Sequence, residues 1–415
     1  MEQAEIIVIG DELLIGQVVD TNSGMIARQL NTIGIPVLRT TAVHDDETEI
    51  THALTEAFTR VNLVLMTGGL GPTKDDITKT TLCKYFDTRL VEDLAVKEHI
   101  LQLYHDRPQV LNSLTATQWQ VPEACSVLEN RVGSAPLMEF SQDGKLLYSM
   151  PGVPYEAEVA MNEQIIPRLA MLASENIIIH KTIQVYGIPE SALALRIADW
   201  EDALPPYMHL AYLPQNRIIR LRLTAQKHTE QALLEAEVNE QISTLMPLIE
   251  DYVIATEDKP IEVLVGEYLK SRGETVSSAE SCTGGKIAML LNKHAGSSSF
   301  YYGTVVAYDN SVKQKVLGVR EETLNSVGAV SEQTVIEMAN GVRNLLGTTW
   351  SISTSGIAGP DGGTIDKPVG TVWIAVTNGK HTHTECFRFR GSRDQITTHA
   401  ATAALIMLLK DIKIS

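Results

Sequence analysis

Thr275-Val276-Ser277-Ser278-Ala279-Glu280-Ser281-Cys282-Thr283-Gly284-Gly285 reads as a strand that runs into a turn, with two glycines opening a helix. A strand that stops at a serine and gives way to a helix is the repeating unit of an α/β layer. Lys313 follows 32 residues later, in Tyr308-Asp309-Asn310-Ser311-Val312-Lys313. Asp309, Asn310 or Ser311 can cap a helix whose first turn carries that lysine. Serine is a weak nucleophile at neutral pH and needs a neighbouring base. Lysine serves as one only when burial or the positive end of a helix makes its ammonium less stable. Gly284 and Gly285 let backbone N–H groups approach a ligand closely, as an oxyanion hole requires. The competing reading is that Ser281 caps a helix and Lys313 is a solvated surface lysine.

Around this stretch the alternation of strand and helix continues. A helix is predicted over 261–271, a strand over 303–307, a helix over 331–346 and a strand over 350–354. Two further strands are predicted near 371–377 and 384–390, and a terminal helix over 394–412. Gly356-Ile357-Ala358-Gly359-Pro360-Asp361-Gly362-Gly363-Thr364 is too rich in glycine for regular structure and reads as a ligand-binding loop, followed by Lys367-Pro368-Val369-Gly370-Thr371 as a turn into strand. Arg388 and Arg390 are expected on one strand face and Arg393 at the start of the next helix, where one of them can fork onto a phosphate. A solvated edge-strand face accounts for them equally well.

The first ~170 residues alternate in the same way, as a parallel α/β layer requires. Strands are expected at 5–10, 36–42, 61–66 and 146–150, and helices at 21–33, 47–61 and 155–173. Thr67-Gly68-Gly69-Leu70-Gly71-Pro72-Thr73 follows a buried strand, and Lys74-Asp75-Asp76-Ile77-Thr78 opens a helix. Glycines at the carboxyl end of a strand let amides and a helix N-terminus cradle phosphate. Asp75 and Asp76 suit a divalent metal bridging phosphate oxygens. Asp11-Glu12 and Asp20-Thr21-Asn22-Ser23 are expected at the same sheet edge, although helix capping also explains such acids, Asp20 above all. His44-Asp45-Asp46-Glu47 has no further histidine nearby and is a poor zinc site.

Between these parts, residues 175–256 read as strand-helix-strand-strand-helix-strand, a small split βαβ sandwich. No cluster of catalytic residue types lies in it, so a connecting or dimerising role is expected.

Composition bounds the function classes. The net charge of −17 argues against sequence-independent binding to nucleic acid or an anionic membrane. The four cysteines, Cys83, Cys125, Cys282 and Cys386, are too scattered for a disulfide framework or a cysteine zinc site. Cys282 reads as a packing residue beside the serine. Neither a signal peptide nor a membrane span is apparent, so a cytoplasmic location is expected.

Gly10-Asp11-Glu12-Leu13-Leu14-Ile15-Gly16, Asp20-Thr21-Asn22-Ser23, Thr67 to Thr78 and Met150-Pro151-Gly152-Val153-Pro154 resemble the N-terminal domain of the competence/damage-inducible CinA family, which is similar to the molybdopterin-binding MoaB/MogA fold. Ala279 to Gly285, Tyr308 to Lys313, Gly356 to Gly363 and Lys367 to Thr371 resemble its C-terminal domain, the nicotinamide mononucleotide deamidase called PncC. The resemblance implies an α/β chain of three domains. These are a MoaB/MogA-like metal-dependent ADP-ribose pyrophosphatase over 1–173, a small KH-like α+β linker or dimerisation domain over 174–256, and the deamidase over 257–415.

By this resemblance Ser281 is the nucleophile, Lys313 the general base and Tyr308 an assisting group. Thr283, Gly284, Gly285, Gly359, Gly362, Gly363, Thr364 and Arg393 bind the mononucleotide, with amides near Gly284 facing the oxyanion. In the N-terminal domain Thr67, Gly68, Gly69, Gly71 and Thr73 hold the diphosphate. Asp11, Asp20, Asp75 and Asp76 hold a divalent metal, cobalt or magnesium, with potassium as a second cofactor. A homodimer is implied. Three departures from the family pattern stand out. Leu137 follows Pro136 where glycine is usual, the middle domain lacks the Gly-x-x-Gly loop with which KH domains clamp nucleic acid, and Asp309 stands where serine is common. Two other readings stay open: an N-terminal domain that only binds a pterin or nucleotide, and a competence-linked adaptor.

Overall fold

A computed structural model describes residues 2–172 and 176–414. The expected helix end at Ala173 and the domain boundary after it lie outside the described residues. The chain packs as two compact units, residues 1–179 with 225–239, and residues 180–224 with 240–415.

In the first unit six strands form one sheet, in the order Val37–Val43, Ala4–Ile9, Leu63–Thr67, Lys145–Met150, Leu137–Gln142, Ser126–Leu128. The first four are parallel, and each of the last two pairs antiparallel with the strand before it. Ala4–Ile9 and Leu63–Thr67 are buried along their whole length, as strands covered on both faces must be. The chain leaves Ala4–Ile9 toward one neighbour and returns on the other side as Leu63–Thr67. That reversal opens a crevice at the carboxyl ends of the two strands, between Gly10 and Gly68. Residues 86–142 hold elements that the sequence pattern did not reveal. These include the helix Leu94–Leu103 and the short paired strands Leu90–Glu92 and Gln120–Pro122. The expected helix after Val153 is broken into Pro154–Ala160, a single π turn Met161–Ile165, and Ile166–Ala170. Pro167, which has no N–H to donate, lies just past that π turn.

The middle region has the expected element order, and its four strands form a sheet ordered Met208–Gln215, Ile218–His228, Asn176–Tyr186, Val253–Ala255.

The C-terminal part of the second unit is a five-stranded sheet ordered Tyr301–Val306, Val276–Glu280, Trp350–Gly356, Thr371–Thr377, Thr382–Arg388. The first three strands are parallel, and each of the last two pairs antiparallel with the strand before it. The terminal helix Arg393–Ile414 is buried almost continuously from Ala400 to Leu409, which explains its apolar run, and it packs with Ile261–Arg272 in one core. Helices Glu332–Leu346 and Asn310–Leu317 share a second core with Ala279 and Ala307. Here too the chain leaves Val276–Glu280 to one side and returns on the other, so the crevice opens between Ser281 and Gly356. The last strand ends at Arg388, so Arg390 lies outside it and the expected shared face of Arg388 and Arg390 does not form.

Candidate active site

Ser281 is the first residue beyond its strand, and its amide donates to the Thr354 carbonyl across the crevice (2.9 Å). Lys313 lies in the first turn of the helix Asn310–Leu317, whose N-cap is Asp309, with its carboxylate accepting the Ser311 amide (2.8 Å). Lys313 is only 1 % exposed, so it is no solvated surface lysine. Its Nζ donates to the carbonyls of Ala307 (2.8 Å) and Tyr308 (3.0 Å). Burial lowers its pKa from the ordinary lysine value, against an opposing pull from Asp309.

Ser281 and Lys313 line one cavity of about 280 Å³, together with Cys282, Tyr308, Asn310, Ser355, Gly359, Asp361, Gly362 and Arg393. Arg393 bridges two of these groups, donating to the Gly359 carbonyl (2.7 Å) and to the Tyr308 hydroxyl (3.0 Å). Cys282 has its thiol pushed up to about 12 by burial, so it stays protonated at neutral pH and is no rival nucleophile. Gly363 and Thr364, expected at the ligand, are not among the lining residues. The Thr364 amide donates to the Lys367 carbonyl (2.9 Å) and its hydroxyl accepts from the Lys367 amide (3.1 Å), closing a turn.

The turn after Ser281 differs from expectation in its donors. The Gly284 amide donates to the Ser281 carbonyl (3.2 Å), and the Gly285 amide to the Glu280 carboxylate (2.9 Å). Neither is available to an oxyanion. Among the described residues, the amides of Cys282 and Thr283 are the two in the turn with no hydrogen bond to another backbone group. The Thr283 hydroxyl points inward, donating to Glu280 (2.7 Å) and sharing a hydrogen bond with the Thr354 hydroxyl (2.8 Å). Glu280 itself was not singled out in the sequence. Its signal was present, a carboxylate in an otherwise buried strand.

At the N-terminal crevice the glycine loop folds on its own chain. A Cβ on Gly68 would run into the Ile9 carbonyl, so glycine is required there for the two strand ends to approach. The Thr67 hydroxyl donates to the Pro151 carbonyl (2.8 Å) and accepts from Asn22 (3.1 Å); it is buried and does not face a ligand. The Asp76 carboxylate accepts the amides of Gly71 (2.7 Å) and Thr73 (2.9 Å) and the Thr73 hydroxyl. Asp20 accepts the Ser23 amide (3.0 Å) and hydroxyl in the first turn of the helix Asn22–Thr32. Asp75 is exposed to solvent.

Asp11 accepts from the His44 ring (2.8 Å), and its amide donates to the Asp45 carboxylate (3.2 Å). The Asp45 carboxyl is pushed up by burial and by the charges of Asp11, Glu12 and Asp76. Asp45, rather than Asp20, is therefore the third acid of this edge. Among the described residues no three metal-ligating side chains group around one point, so the set Asp11, Asp20, Asp75 and Asp76 does not fit a single metal.

No helix among the described residues is long and apolar enough to cross a membrane. The family profile of the CinA C-terminal domain matches residues 258–412, and that of the damage-inducible protein CinA KH domain matches residues 180–255. A profile described as "probable molybdopterin binding domain" matches residues 5–171. A CinA-like protein of Cytophaga hutchinsonii is 44% identical over 411 residues, covering 99% of this chain and 98% of that one. Another, from Flavobacterium psychrophilum, is 41% identical over 414 residues, covering 99% and 98%. The crystal structure of the competence damage-inducible protein A of Klebsiella pneumoniae is 38% identical and covers 37% of this chain and 95% of that one, with a TM-score of 0.36. With near-complete coverage of both chains at this identity, the chain belongs to the family of CinA-like proteins.

Proposed function

We propose that the C-terminal domain hydrolyses the carboxamide of nicotinamide mononucleotide to nicotinic acid mononucleotide and ammonia. The observation that carries this reading is the state of Lys313, which shares a cavity with Ser281. A neutral amine has two N–H donors and one lone pair. The carbonyls of Ala307 and Tyr308 take both donors, so the lone pair is what remains for a proton. Lys313 accepts the Ser281 hydroxyl proton as Oγ attacks the carboxamide carbon. The amides of Cys282 and Thr283 stabilise the tetrahedral oxyanion. Lys313 returns the proton to the leaving nitrogen, the C–N bond breaks and ammonia departs. Water, deprotonated by the same amine, then hydrolyses the acyl-serine and releases the carboxylic acid. Arg393, held beside the cavity by Gly359 and Tyr308, is the candidate for the substrate phosphate.

The test is ammonia release from nicotinamide mononucleotide by the full-length protein beside Ser281→Ala and Lys313→Ala. Turnover by the parent and collapse in both variants is the expected result. A folded parent that releases no ammonia would overturn the reading.

For the N-terminal domain we propose hydrolysis of the ADP-ribose diphosphate at the crevice of Asp11, Asp45 and Asp76, a reading favoured by the mutual crowding of these acids. No step is assigned to a metal there. ADP-ribose turnover with added cobalt or magnesium and potassium is the measurement, and binding without turnover would favour the ligand-binding alternative.

A further inference from the structure

Glu280 ends the strand Val276–Glu280 and is 0 % exposed. A carboxylate at such a place destabilises the fold unless its oxygens are fully hydrogen-bonded or paired. Among the described residues it makes no ion pair. Its partners are neutral donors arranged around both oxygens. Oε2 accepts the Thr283 hydroxyl (2.7 Å) and the amides of Gly285 (2.9 Å) and Ile287 (3.1 Å). Oε1 accepts the Ala288 amide (2.8 Å), with the Ser278 hydroxyl more distant at 3.3 Å. Three of the amides that a helix start leaves unpaired are thus satisfied by one side chain, and the helix dipole favours the charge placed there.

Two consequences follow. The start of the helix Lys286–Asn292 already holds an internal anion, so the Ser-Cys-Thr-Gly-Gly turn does not cradle the substrate phosphate, which must be met elsewhere. The turn is also pinned from within. Glu280 holds Thr283 and Gly285 on one side, while Thr354 holds the Ser281 amide on the other. With Gly284 and Gly285 spent, the amides of Cys282 and Thr283 are the donors left for an oxyanion.

We infer that Glu280 is a positioning residue for the deamidation, an internal anion that fixes the turn carrying Ser281 and sets the oxyanion donors of Cys282 and Thr283. The inference rests on Ser281 being the nucleophile. Glu280 does not touch the base, whose Nζ is bound to the carbonyls of Ala307 and Tyr308.

The experiment measures kcat, KM and the pH profile for nicotinamide mononucleotide, with thermal unfolding, on the full-length protein and its Glu280→Gln, Thr283→Val and Thr283→Ser variants. Glutamine keeps one carboxyl-like oxygen but sets an NH2 group against an amide N–H. The expected result for Glu280→Gln is a fall in kcat of about 10²-fold, the scale of a lost oxyanion donor. KM should stay within about threefold and the acid limb of the profile should not move. Thr283→Val should lose at least about tenfold in kcat, and Thr283→Ser, which restores the hydroxyl to Glu280, should recover most of it. An active parent whose Glu280→Gln variant keeps kcat within threefold overturns the inference alone. Should Glu280→Gln not fold, equal kcat in Thr283→Val and the parent overturns it instead. A parent without ammonia release overturns the deamidase reading and this inference with it.

Discussion

The two crevices of this chain are built alike and differ in charge. Each opens at the carboxyl ends of two parallel strands where the chain reverses its direction of travel across the sheet. In each, a glycine-rich turn is held by a carboxylate of its own chain, Glu280 in one and Asp76 in the other. At the C-terminal crevice the anchoring acid is sealed in the fold, and the cavity is lined by the Ser281 hydroxyl, the Lys313 amine and the Arg393 guanidinium, with Asp361 as its one acid. At the N-terminal crevice Asp11, Asp45 and Asp75 remain beside Asp76, unmatched by a lysine or arginine ion pair among the described residues. The lesson is that a glycine-rich loop after a strand does not by itself declare a phosphate site. What decides is whether the protein has already supplied the anion.

Buried lysines sharpen the contrast. Lys79 in the N-terminal domain is also buried, its pKa pushed down to about 8 by burial, with Nζ donating to the Thr117 carbonyl (2.6 Å). A depressed amine is thus present in both halves. Lys313 lines a cavity together with a serine, and the largest expected effect tests whether that sets it apart. Ser281→Ala and Lys313→Ala should each lower ammonia release by at least about 10³-fold, while Lys79→Met leaves it within about threefold. Equal losses in the lysine variants would dissolve the distinction between the two crevices.

The next effect is one of pH. Lys313 works as the neutral amine, and burial lowers its pKa, so kcat/KM should rise with pH, about tenfold per unit on the acid limb, and level off below the ordinary lysine value of 10.5. The stability sign agrees. The native state disfavours the Lys313 proton, so the cost of the buried ammonium is present at low pH and disappears as pH rises from the depressed native value toward 10.5. An acid limb that survives in Lys313→Ala would assign the titration to another group.

A smaller effect separates the two anchoring carboxylates. Asp76→Ala should release the amides of Gly71 and Thr73 and lower ADP-ribose turnover by about 10²-fold, with ammonia release unchanged. If deamidation fell in parallel, the two crevices would not be independent sites.

Much of this arrangement was legible in the sequence because it is local. The strand–turn–helix at Ser281, the Asp309 cap that sets Lys313 in a first turn, and the alternation of both α/β sheets depend on neighbours within a few residues. What escaped depends on how the chain folds back on itself. Glu280 looks like any strand-end acid until the helix after it folds back and gives it three amides. Thr67 and Thr283 look like ligand-facing hydroxyls, yet Thr67 donates to the Pro151 carbonyl, and Thr283 donates to Glu280 while bonded to the Thr354 hydroxyl. Residues 86–136 carry three strands of three residues, too short to establish a period.

Asp20 and Asp45 give the smallest and most pointed test. From sequence Asp20 joined the metal set and Asp45 did not. In the structure Asp20 spends its oxygens on Ser23 at a helix start, while Asp45 meets Asp11 and Asp76 at the crevice. A capping acid removed from a first turn costs about 1 kcal/mol. Asp20→Ala should therefore shift urea unfolding of the full chain by about that amount and leave ADP-ribose turnover within about threefold. Asp45→Asn should do the reverse, keeping stability or raising it, because it removes one of several crowded like charges, while turnover falls by at least about tenfold. If Asp20→Ala instead abolishes turnover at unchanged stability, the helix-start role given to Asp20 is wrong, and the crevice must take its acids from the other side of the loop.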